Sequence, residues 1–447
     1  MSFTVDKQTL EDLNLLGKFK KNSIINLFDQ TCTRKGELLL ESMFRNPLQH
    51  VDDINMRSSV IRYFQEAGVT FPIANELFGD VEFYLNSPGA SSAFGLQLNT
   101  LTYKVKQMFV SDKGYEKIQL GIIALIKLLN SLYKFVQTLP AGDSPYKEQI
   151  NELKSIYEDS RLSWLKTAAG INSLSFSKTV KYDSVFRHTC REKLSKLLNT
   201  LYEMDVYISV ANVARARKFA YATALPKERN YTSIKEVYHP SLKSPVANTI
   251  TIDKEKNVFF LTGANMAGKS TLMKAYSIAV YLAHMGFPVA AEAMEFSILD
   301  GMYTSINVPD NISMGYSHFY AEVLRVKNIA EEVGKSKNLL VIFDELFKGT
   351  NVKDAYDATV AVTEAFAEYH NCSFIISTHI IEVGEELQKR CDNIQYYYVP
   401  TEMDGTRPVY TYRLKPGITE DRHGMMIVNN EQIIEIIKNE IDYSGID

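Results

Sequence analysis

The chain has 447 residues, of which 45% are hydrophobic, and a formal net charge of -4. This length suffices for two to four globular domains, and the near balance of charge excludes a strongly basic domain built only to hold nucleic acid. Residues 1–240 contain 31 Lys and Arg against 25 Asp and Glu, whereas residues 241–447 contain 18 against 28. The slightly basic first part is compatible with a polyanionic partner but does not by itself indicate one.

Neither a membrane segment nor an export signal is predicted. The longest apolar region, Ile118 to Val136, contains Lys127 and Lys134, so it is expected to be a core helix. The N-terminal residues lack a charged region followed by an apolar one, and we therefore expect a cytoplasmic location. The four cysteines stand far apart, which predicts buried free thiols and neither a zinc site nor a disulfide framework. They are Cys32, Cys190, Cys372 and Cys391.

The first half of the chain is predicted to be mostly helical. Apolar residues recur at helical spacing, with little Gly or Pro, in Glu116 to Leu139, Tyr146 to Ala169 and Glu192 to Ala222. The composition changes between Pro226 and Pro240. We therefore predict two domains, a mostly helical one over residues 1–235 and a second one over residues 236–447.

In the second half, short apolar runs alternate with helical patterns, which is typical of an α/β domain with a sheet. Helices are expected after residues 270, 353 and 380, a further strand over Val409 to Tyr412, and a closing helix over Asn430 to Asn439. The predicted strands of the sheet are Val258 to Leu261, Leu339 to Phe343, Ser373 to Ser377 and Ile394 to Val399.

A glycine-rich loop between the first of these strands and the following helix fits the pattern G-x-x-x-x-G-K-[ST]. In that pattern, backbone N–H groups surround phosphates at a helix N-terminus, Lys269 reaches the terminal phosphates and the Ser270 hydroxyl ligates Mg²⁺. The sequence therefore predicts an α/β P-loop nucleotide site that binds ATP. Its loop consists of Gly263, Ala264, Asn265, Met266, Ala267, Gly268, Lys269, Ser270 and Thr271.

Two acidic residues end the next predicted strand of this half. Asp344 is predicted to hold Mg²⁺ and Glu345 to polarise the water that attacks the γ-phosphate, although two solvated acids at a strand end are the plainer alternative. His379 follows another apolar strand. Alone it would be structural, but beside these motifs we predict that it senses the γ-phosphate.

Taken together, these motifs resemble those of the MutS DNA mismatch-repair ATPases, members of the ABC ATPase superfamily. TGANMAGKST is similar to the family's TGPNMGGKST, DELFKGTN to DELGRGTS and STH to ATH, and the resemblance extends over most of the chain. The segment Asp310 to Val323 resembles the family's signature loop, with Ser317 and Glu322 at matching positions. The resemblance implies that Ser317 acts in trans on the partner's γ-phosphate, so that the site is shared across a homodimer or a heterodimer with a MutS-type partner.

The chain also departs from the family pattern. Ala264 and Ala267 replace the usual Pro and Gly, His318 replaces the signature Thr, and Glu420 to Arg422 replace small polar residues. The residues that resemble the family begin at its core domain. We therefore expect no counterpart of the mismatch-reading and connector domains, and a DNA clamp that is reduced or missing.

Three functions follow from this resemblance. The first is a Mg²⁺-dependent ATPase with a helical lever that contacts DNA without reading mismatches, and the second is a nucleotide-gated scaffold for protein partners without DNA. A transport-coupled ABC ATPase is the third, disfavoured by the MutS-like first half. Candidate DNA contacts form a basic stretch that could also be a solvated face. Its members are Lys178, Lys181, Arg187, Arg191, Lys193 and Lys196.

Overall fold

The computed structural model describes residues 3–17, 22–73, 75–86, 112–140, 144–306, 318–404, 407–419 and 436–437. The chain divides into two compact units. The first, which we call the sheet unit, comprises Met1–Leu27, Met43–Ser58 and Arg217–Asp447. The second, which we call the helical unit, comprises Phe28–Ser42 and Ser59–Ala216.

The main sheet of the sheet unit has seven strands in the order β1-β8-β9-β10-β5-β11-β14. Every neighbouring pair is parallel except β11 and β14. Its central strands are continuously apolar because both faces are covered. The strands are β1 (Thr4–Val5), β5 (Val258–Gly263), β8 (Gly301–Ser305), β9 (Leu339–Asp344), β10 (Ser373–Ser377), β11 (Ile394–Val399) and β14 (Lys415–Pro416).

A second sheet of five strands in the order β4-β3-β7-β2-β6 and a two-stranded hairpin also belong to the sheet unit. The second sheet is formed by β2 (Ala220–Leu225), β3 (Tyr231–Val237), β4 (Asn248–Asp253), β6 (Pro288–Val289) and β7 (Ala293–Ser297). The hairpin is formed by β12 (Thr401–Asp404) and β13 (Arg407–Tyr410).

The helices of the sheet unit are α1 (Lys7–Asp12), α2 (Ile24–Phe28, whose last residue is in the helical unit), α10 (Lys269–His284), α11 (His318–Val333), α12 (Val352–Ala367) and α13 (Ile381–Arg390). Side chains of α11, α12 and α13 share one buried apolar cluster with the strands β5, β9 and β10. This packing fixes the starts of the helices relative to the strand ends that precede them.

The described elements of the helical unit are all helical. They are α3 (Arg34–Arg45), α4 (Val51–Ala67), α5 (Asn75–Asn86), α6 (Asp112–Thr138), α7 (Lys147–Tyr157), a 3-10 helix (Ser160–Leu165), α8 (Phe176–Ser184), a π-helical turn (Val185–Thr189) and α9 (Arg191–Arg217). Helices α3 and α4 each contribute residues to both units.

The four predicted strands of the main sheet and the three helices that follow them are confirmed, with shifts of one or two residues at their ends. The predicted helix from Glu192 to Ala222 is too long. It ends at Arg217, because Lys218 has a positive φ of 56° and β2 begins at Ala220. The helix predicted from Tyr146 to Ala169 is also wrong over its second half, since Asp159 caps a separate 3-10 helix.

Other parts of the second half differ from the prediction or lie beyond the described residues. The strand predicted to end at Tyr412 ends at Tyr410. The second sheet was not predicted, because its strands alternate buried with more exposed residues and do not form continuous apolar runs. The closing helix predicted over residues 430–439 falls almost wholly outside the described residues, of which only 436 and 437 are helical. The boundary at residue 235 stays a prediction about domains, whereas the compact units divide the chain elsewhere.

The structure also bears on the predictions about the cysteines and the longest apolar region. Cys190 and Cys372 are buried as expected, but Cys391 is half-buried and Cys32 is exposed, and all four are free thiols. Within the described ranges one helical stretch, Glu116–Thr138, is long and apolar enough to cross a membrane by length and composition. Its residues from Ile122 onward contribute to the core of the helical unit, as expected for a core helix.

Candidate functional site

The glycine-rich loop connects β5 to α10 through backbone that glycine favours. Gly263 has φ 144° and Gly268 has φ 97°, and Met266 between them is also positive at 70°. A Cβ at Gly268 would lie 2.9 Å from the Tyr412 ring. The loop therefore turns tightly, and its second glycine leaves room for an aromatic ring beside it.

Lys269 is folded back on this loop. Its Nζ donates hydrogen bonds to the carbonyl oxygens of Gly263 at 2.7 Å and Ala264 at 3.1 Å, and only 4% of the residue is exposed. Burial lowers the pKa of the Lys269 ammonium, against the opposing effect of the nearby carboxylates of Glu345 and Asp344. A buried ammonium held by two carbonyls is incompletely compensated, so the negative charge of a phosphate entering the loop would stabilise it.

The acidic residues lie at the carboxyl edge of the same sheet. Asp344 on β9 is in register with Ser377 on β10, and Ser377 is in register with Leu261 on β5, next to the loop. The Ser377 hydroxyl donates to Asp344 Oδ1 at 2.5 Å, and the Glu345 N–H donates to the Ser377 carbonyl at 3.0 Å. Three adjacent strands thus bring the phosphate loop and both acids to one edge.

The chain after β9 turns in an unusual conformation. Glu345 and Phe347 have positive φ angles of 57° and 61°, which side chains larger than glycine rarely adopt. A Cβ at Gly349 would lie 2.9 Å from the backbone nitrogen of Phe319, at the start of α11. Backbone strain of this kind is kept where the surroundings hold it, and Glu345 lines the cavity beside the phosphate loop.

The other predicted site residues are placed as follows. Asn265, Met266, Ser270 and Thr271 are exposed on the loop and the first turn of α10, whereas Ala267 is buried. His379 is exposed, two residues beyond the end of β10 and hence at the same edge. Of the predicted signature segment, residues 310–317 with Ser317 lie outside the described residues, whereas Glu322 is buried in α11.

A cavity of about 520 Å³ opens beside the loop. This volume lies within the range of small-molecule sites. Besides loop residues and Glu345, it is lined by residues that the sequence analysis missed: Val237, Tyr238, His239, Leu242, Ser244, Pro245, Val246, Asn248 and Tyr412. Three of these had a signal in the sequence: His239, Val246 and Asn248 lie in short stretches that resemble the entry to the ATPase domain of MutS proteins.

Tyr412, His239 and Asn248 form an aromatic wall of this cavity. Asn248 donates from Nδ2 to the Tyr412 carbonyl at 2.9 Å and accepts from the Leu414 N–H at 2.7 Å, which anchors the chain that carries the Tyr412 ring. Burial and the nearby Lys274 lower the pKa of His239. The wall is thus aromatic and uncharged near neutral pH, in contrast to the loop with its Lys269 ammonium.

The residues predicted to hold Mg²⁺ suit that ion chemically. Mg²⁺ in nucleotide sites is bound by one or two protein oxygens together with phosphates and water. The Ser270 hydroxyl and the Asp344 carboxylate are such oxygens, on α10 and β9 respectively. Within the described residues no group of three or more His, Cys, Asp or Glu side chains gathers into a metal cage.

The basic stretch of the helical unit is not one helix face. Its six residues are distributed over α8, the π-helical turn and α9. Arg187 is used internally, since it pairs with Asp183 at 2.8 Å and lies 4.2 Å from the Tyr84 ring centroid. Lys193 pairs with Asp159 at 2.6 Å. The remaining residues, Lys178, Lys181, Arg191 and Lys196, are exposed.

Family comparisons agree with both units. The model of MutS domain V matches residues 259–442, and the model of MutS domain III matches residues 8–211. The chain is similar to the DNA mismatch repair protein MutS of Leuconostoc mesenteroides, with 24% identity over 96% of this chain and 60% of that protein. The DNA mismatch repair protein MutS of Ehrlichia ruminantium is 24% identical over 99% of this chain and 52% of that protein. The MutS protein of Petrotoga mobilis is 27% identical over 58% of this chain and 34% of that protein.

The main sheet, its glycine-rich loop and the helices around it define a mixed α/β protein with a MutS-type ATPase domain. The chain belongs to the MutS family. It spans about half the length of the curated relatives that it matches along most of its own sequence.

Proposed function

We propose that the chain is a Mg²⁺-dependent ATPase of the P-loop type that binds ATP and ADP at the carboxyl edge of the main sheet. The observation that carries this proposal is the buried Lys269 ammonium, held by the carbonyls of Gly263 and Ala264 within the phosphate loop. Phosphate oxygens can replace those carbonyls and supply the missing negative charge. Ser270 and Asp344 would hold Mg²⁺, which neutralises phosphate charge when bound.

In the proposed reaction Glu345 is the general base. Its backbone is fixed by the hydrogen bond from its N–H to Ser377, and its side chain lines the cavity that reaches the phosphate loop. A carboxylate there can accept a proton from the attacking water. His379, exposed at the same edge, is proposed to contact the γ-phosphate.

The aromatic wall of the cavity is proposed to hold the base of the nucleotide. Tyr412 stands beside Gly268, and Val246 and His239 line the same cavity. An aromatic ring offers a flat face on which a purine can stack, and an uncharged His239 avoids the cost of burying a second cation there. The triphosphate would then extend from this wall toward Lys269.

The composite site is a further part of the proposal. The family resemblance supports a role for Ser317 on a loop that completes the site of a second protomer, and we propose that hydrolysis requires a homodimer or a heterodimer with a MutS-type partner. Mixing a Ser317→Ala variant with a Lys269→Ala variant should restore part of the activity that each lacks alone. No recovery on mixing would argue that each chain hydrolyses ATP by itself.

The experiment that tests the ATPase assignment uses two variants. Glu345→Gln should retain ATP binding and lower turnover by about a hundredfold or more, because the phosphate loop is intact and only the base is lost. Lys269→Ala should lose binding as well. Lys254→Ala, which alters an exposed lysine of the same unit, is the matched control. Turnover of Glu345→Gln equal to that of the unaltered protein would refute the base assignment.

We further propose that the ATPase cycle acts on DNA through the helical unit, without direct mismatch reading. The exposed members of the basic stretch are the candidate contacts. Affinity for duplex or branched DNA should fall steeply as salt rises, because phosphate contacts release counterions. Replacement of Lys178 and Lys181 by Ala should reduce the steepness.

The alternative is a nucleotide-gated scaffold for protein partners, and one observation favours it: Arg187 and Lys193 are engaged by internal carboxylates. Absence of DNA affinity at low salt would support that alternative and remove the DNA proposal. In either case we expect the protein to work in the cytoplasm, with residues 1–235 as a lever for an ATPase domain over residues 236–447.

A further inference from the structure

The N-terminal strand is built into the edge of the main sheet. Thr4 and Val5 of β1 pair in parallel with Gly301 and Met302 of β8, and the Thr4 N–H donates to the Asp300 carbonyl at 2.9 Å. A Cβ at Gly301 would lie 2.5 Å from the Thr4 carbonyl oxygen. Only glycine at position 301 permits such a close approach, so the sequence of β8 is suited to pairing with the N-terminal strand.

Helix α1, directly after β1, binds the end of β8 through buried polar groups. The Thr9 hydroxyl accepts from the Thr304 N–H at 2.9 Å. Asp12 Oδ2 accepts from the Thr304 hydroxyl at 2.7 Å and from the Ile306 N–H at 3.0 Å. Thr9, Asp12 and Thr304 are all nearly or fully buried. Hydrogen bonds to a buried carboxylate are strong, so the last residues of β8 are held firmly.

Asp6, the residue directly before α1, binds α11. Asp6 caps α1, and Arg325 of α11 donates to both of its carboxylate oxygens. Arg325 also donates to the Thr304 carbonyl at 2.5 Å. Although burial acts to raise it, the pKa of Asp6 is lowered, because hydrogen bonds from Arg325 and Thr9 outweigh burial. Asp6 is therefore ionised and joins α11 to both α1 and β8.

These contacts meet at the two elements that flank residues 307–317. β8 and Ile306 precede that segment and α11 follows it, and α1 binds both. Six residues are too few for a helix to be stable alone, so α1 itself is held in place by these bonds. We name Asp6, Thr9, Asp12, Thr304 and Arg325 the N-terminal clasp.

We propose that the N-terminal clasp positions α11, and thereby sets how well this chain completes the site of its partner. The inference rests on the composite site proposed above. Asp6 and Arg325 are positioning residues, since Asp6 caps α1, Arg325 lies on α11 and neither lines the cavity beside the phosphate loop. Loosening the clasp should slow hydrolysis in the partner's site and leave nucleotide binding in the chain's own site unchanged.

The test compares Asp6→Asn, Arg325→Ala and the milder Arg325→Lys. Asn still caps α1 but cannot form the ion pair, so α1 can persist while α11 is released. For Asp6→Asn and Arg325→Ala, kcat should fall about tenfold or more with the Kd for ATP unchanged, as expected for misplacement of a group by about 1 Å. Arg325→Lys should recover part of that loss. The control is Glu11→Gln, on the exposed face of α1.

Mixing two variant chains shows whether the defect of Asp6→Asn lies in its own site or in the site of its partner. A Lys269→Ala chain lacks its own site but has an intact clasp, so mixing it with Asp6→Asn should restore activity. The clasp proposal is overturned if this mixture stays inactive while the Ser317→Ala and Lys269→Ala mixture recovers. If neither mixture recovers, the composite site is refuted and the trans role of the clasp with it. Unchanged kcat in Asp6→Asn and Arg325→Ala would also overturn the proposal.

Discussion

The two units differ in how much strained backbone they contain. Every described residue other than glycine with a positive φ lies in the sheet unit, including Met266, Glu345 and Phe347 at the candidate site. In the described part of the helical unit only Gly68 has one. The helical unit instead fixes its helices with buried polar pairs, such as Tyr84 with Asp183 and Tyr157 with Asn130. In the sheet unit, strained backbone occurs where the side chains of the candidate site are placed. In the helical unit, hydrogen-bonded polar side chains hold the helices in alignment.

The largest effect is expected where the helical unit depends on one buried carboxylate. Asp205 of α9 accepts from the N–H groups of Cys32 and Thr33 and from the Thr33 hydroxyl, at 2.7 to 2.9 Å. Asp205→Ala leaves three donors without an acceptor and should destabilise the helical unit by about 3 to 5 kcal/mol. Trp164, the single tryptophan of the chain, lies in this unit and reports its unfolding by fluorescence.

The comparison between the units is sharpened by a second readout on the same variant. ATP affinity, a property of the sheet unit, should be unchanged in Asp205→Ala at temperatures where the helical unit stays folded. Glu192→Ala, an exposed acid on the same helix, should shift the fluorescence transition by about 0.5 kcal/mol or less. If Asp205→Ala changed the stability of the helical unit as little as Glu192→Ala does, polar contacts would not be what fixes these helices.

The next effect concerns pH and the sheet unit. His284 is fully buried, its Nδ1 pairs with the Leu48 carbonyl and its Nε2 accepts from the Leu299 N–H, and burial lowers its pKa to about 4. The folded pKa lies below the unfolded value, so stability is fully present above about pH 6.5 and is lost as pH falls toward 4. The loss should reach up to about 3 kcal/mol.

Thermal unfolding followed by circular dichroism at several pH values measures this loss. His284→Gln keeps a donor and an acceptor without titrating in this range, so its unfolding temperature should depend less on pH. The matched control, His188→Gln, alters an exposed histidine of the helical unit and should leave the pH dependence as it was. An equal pH dependence in His284→Gln would assign the effect to other groups.

The smallest effect is expected at the aromatic wall of the cavity. Tyr412→Ala should weaken ATP binding by about 1 kcal/mol, or roughly five- to tenfold in Kd, because a stacking surface is lost. Binding of inorganic tripolyphosphate, which has no base, should be unaffected. Tyr410→Ala, whose ring lies 6.2 Å from that of Tyr412, serves as the control. Equal weakening for both ligands would place the base elsewhere.

Local patterns in the sequence predicted the main strands, the phosphate loop and the acids after β9, because each is a short continuous segment with its own periodicity or spacing. They could not predict that Tyr412 stands beside Gly268 or that Asp6 binds Arg325, since these pairs depend on how distant segments pack. The strand predicted to end at Tyr412 shows the same limit: propensity favoured a longer strand, whereas Asn248 draws the chain away through its two hydrogen bonds. The role of Ser317 stays a prediction.

The main sheet ends on both sides in strands of only two residues, β1 and β14. Short outer strands offer few unpaired N–H and C=O groups to another chain, so they protect a sheet from edge-to-edge aggregation. Two copies of this protein therefore have little opportunity to associate by extending the sheet sideways. If dimers form, their interface has to be sought on loops and helices, and a sheet continuous across two protomers is the arrangement least compatible with this fold.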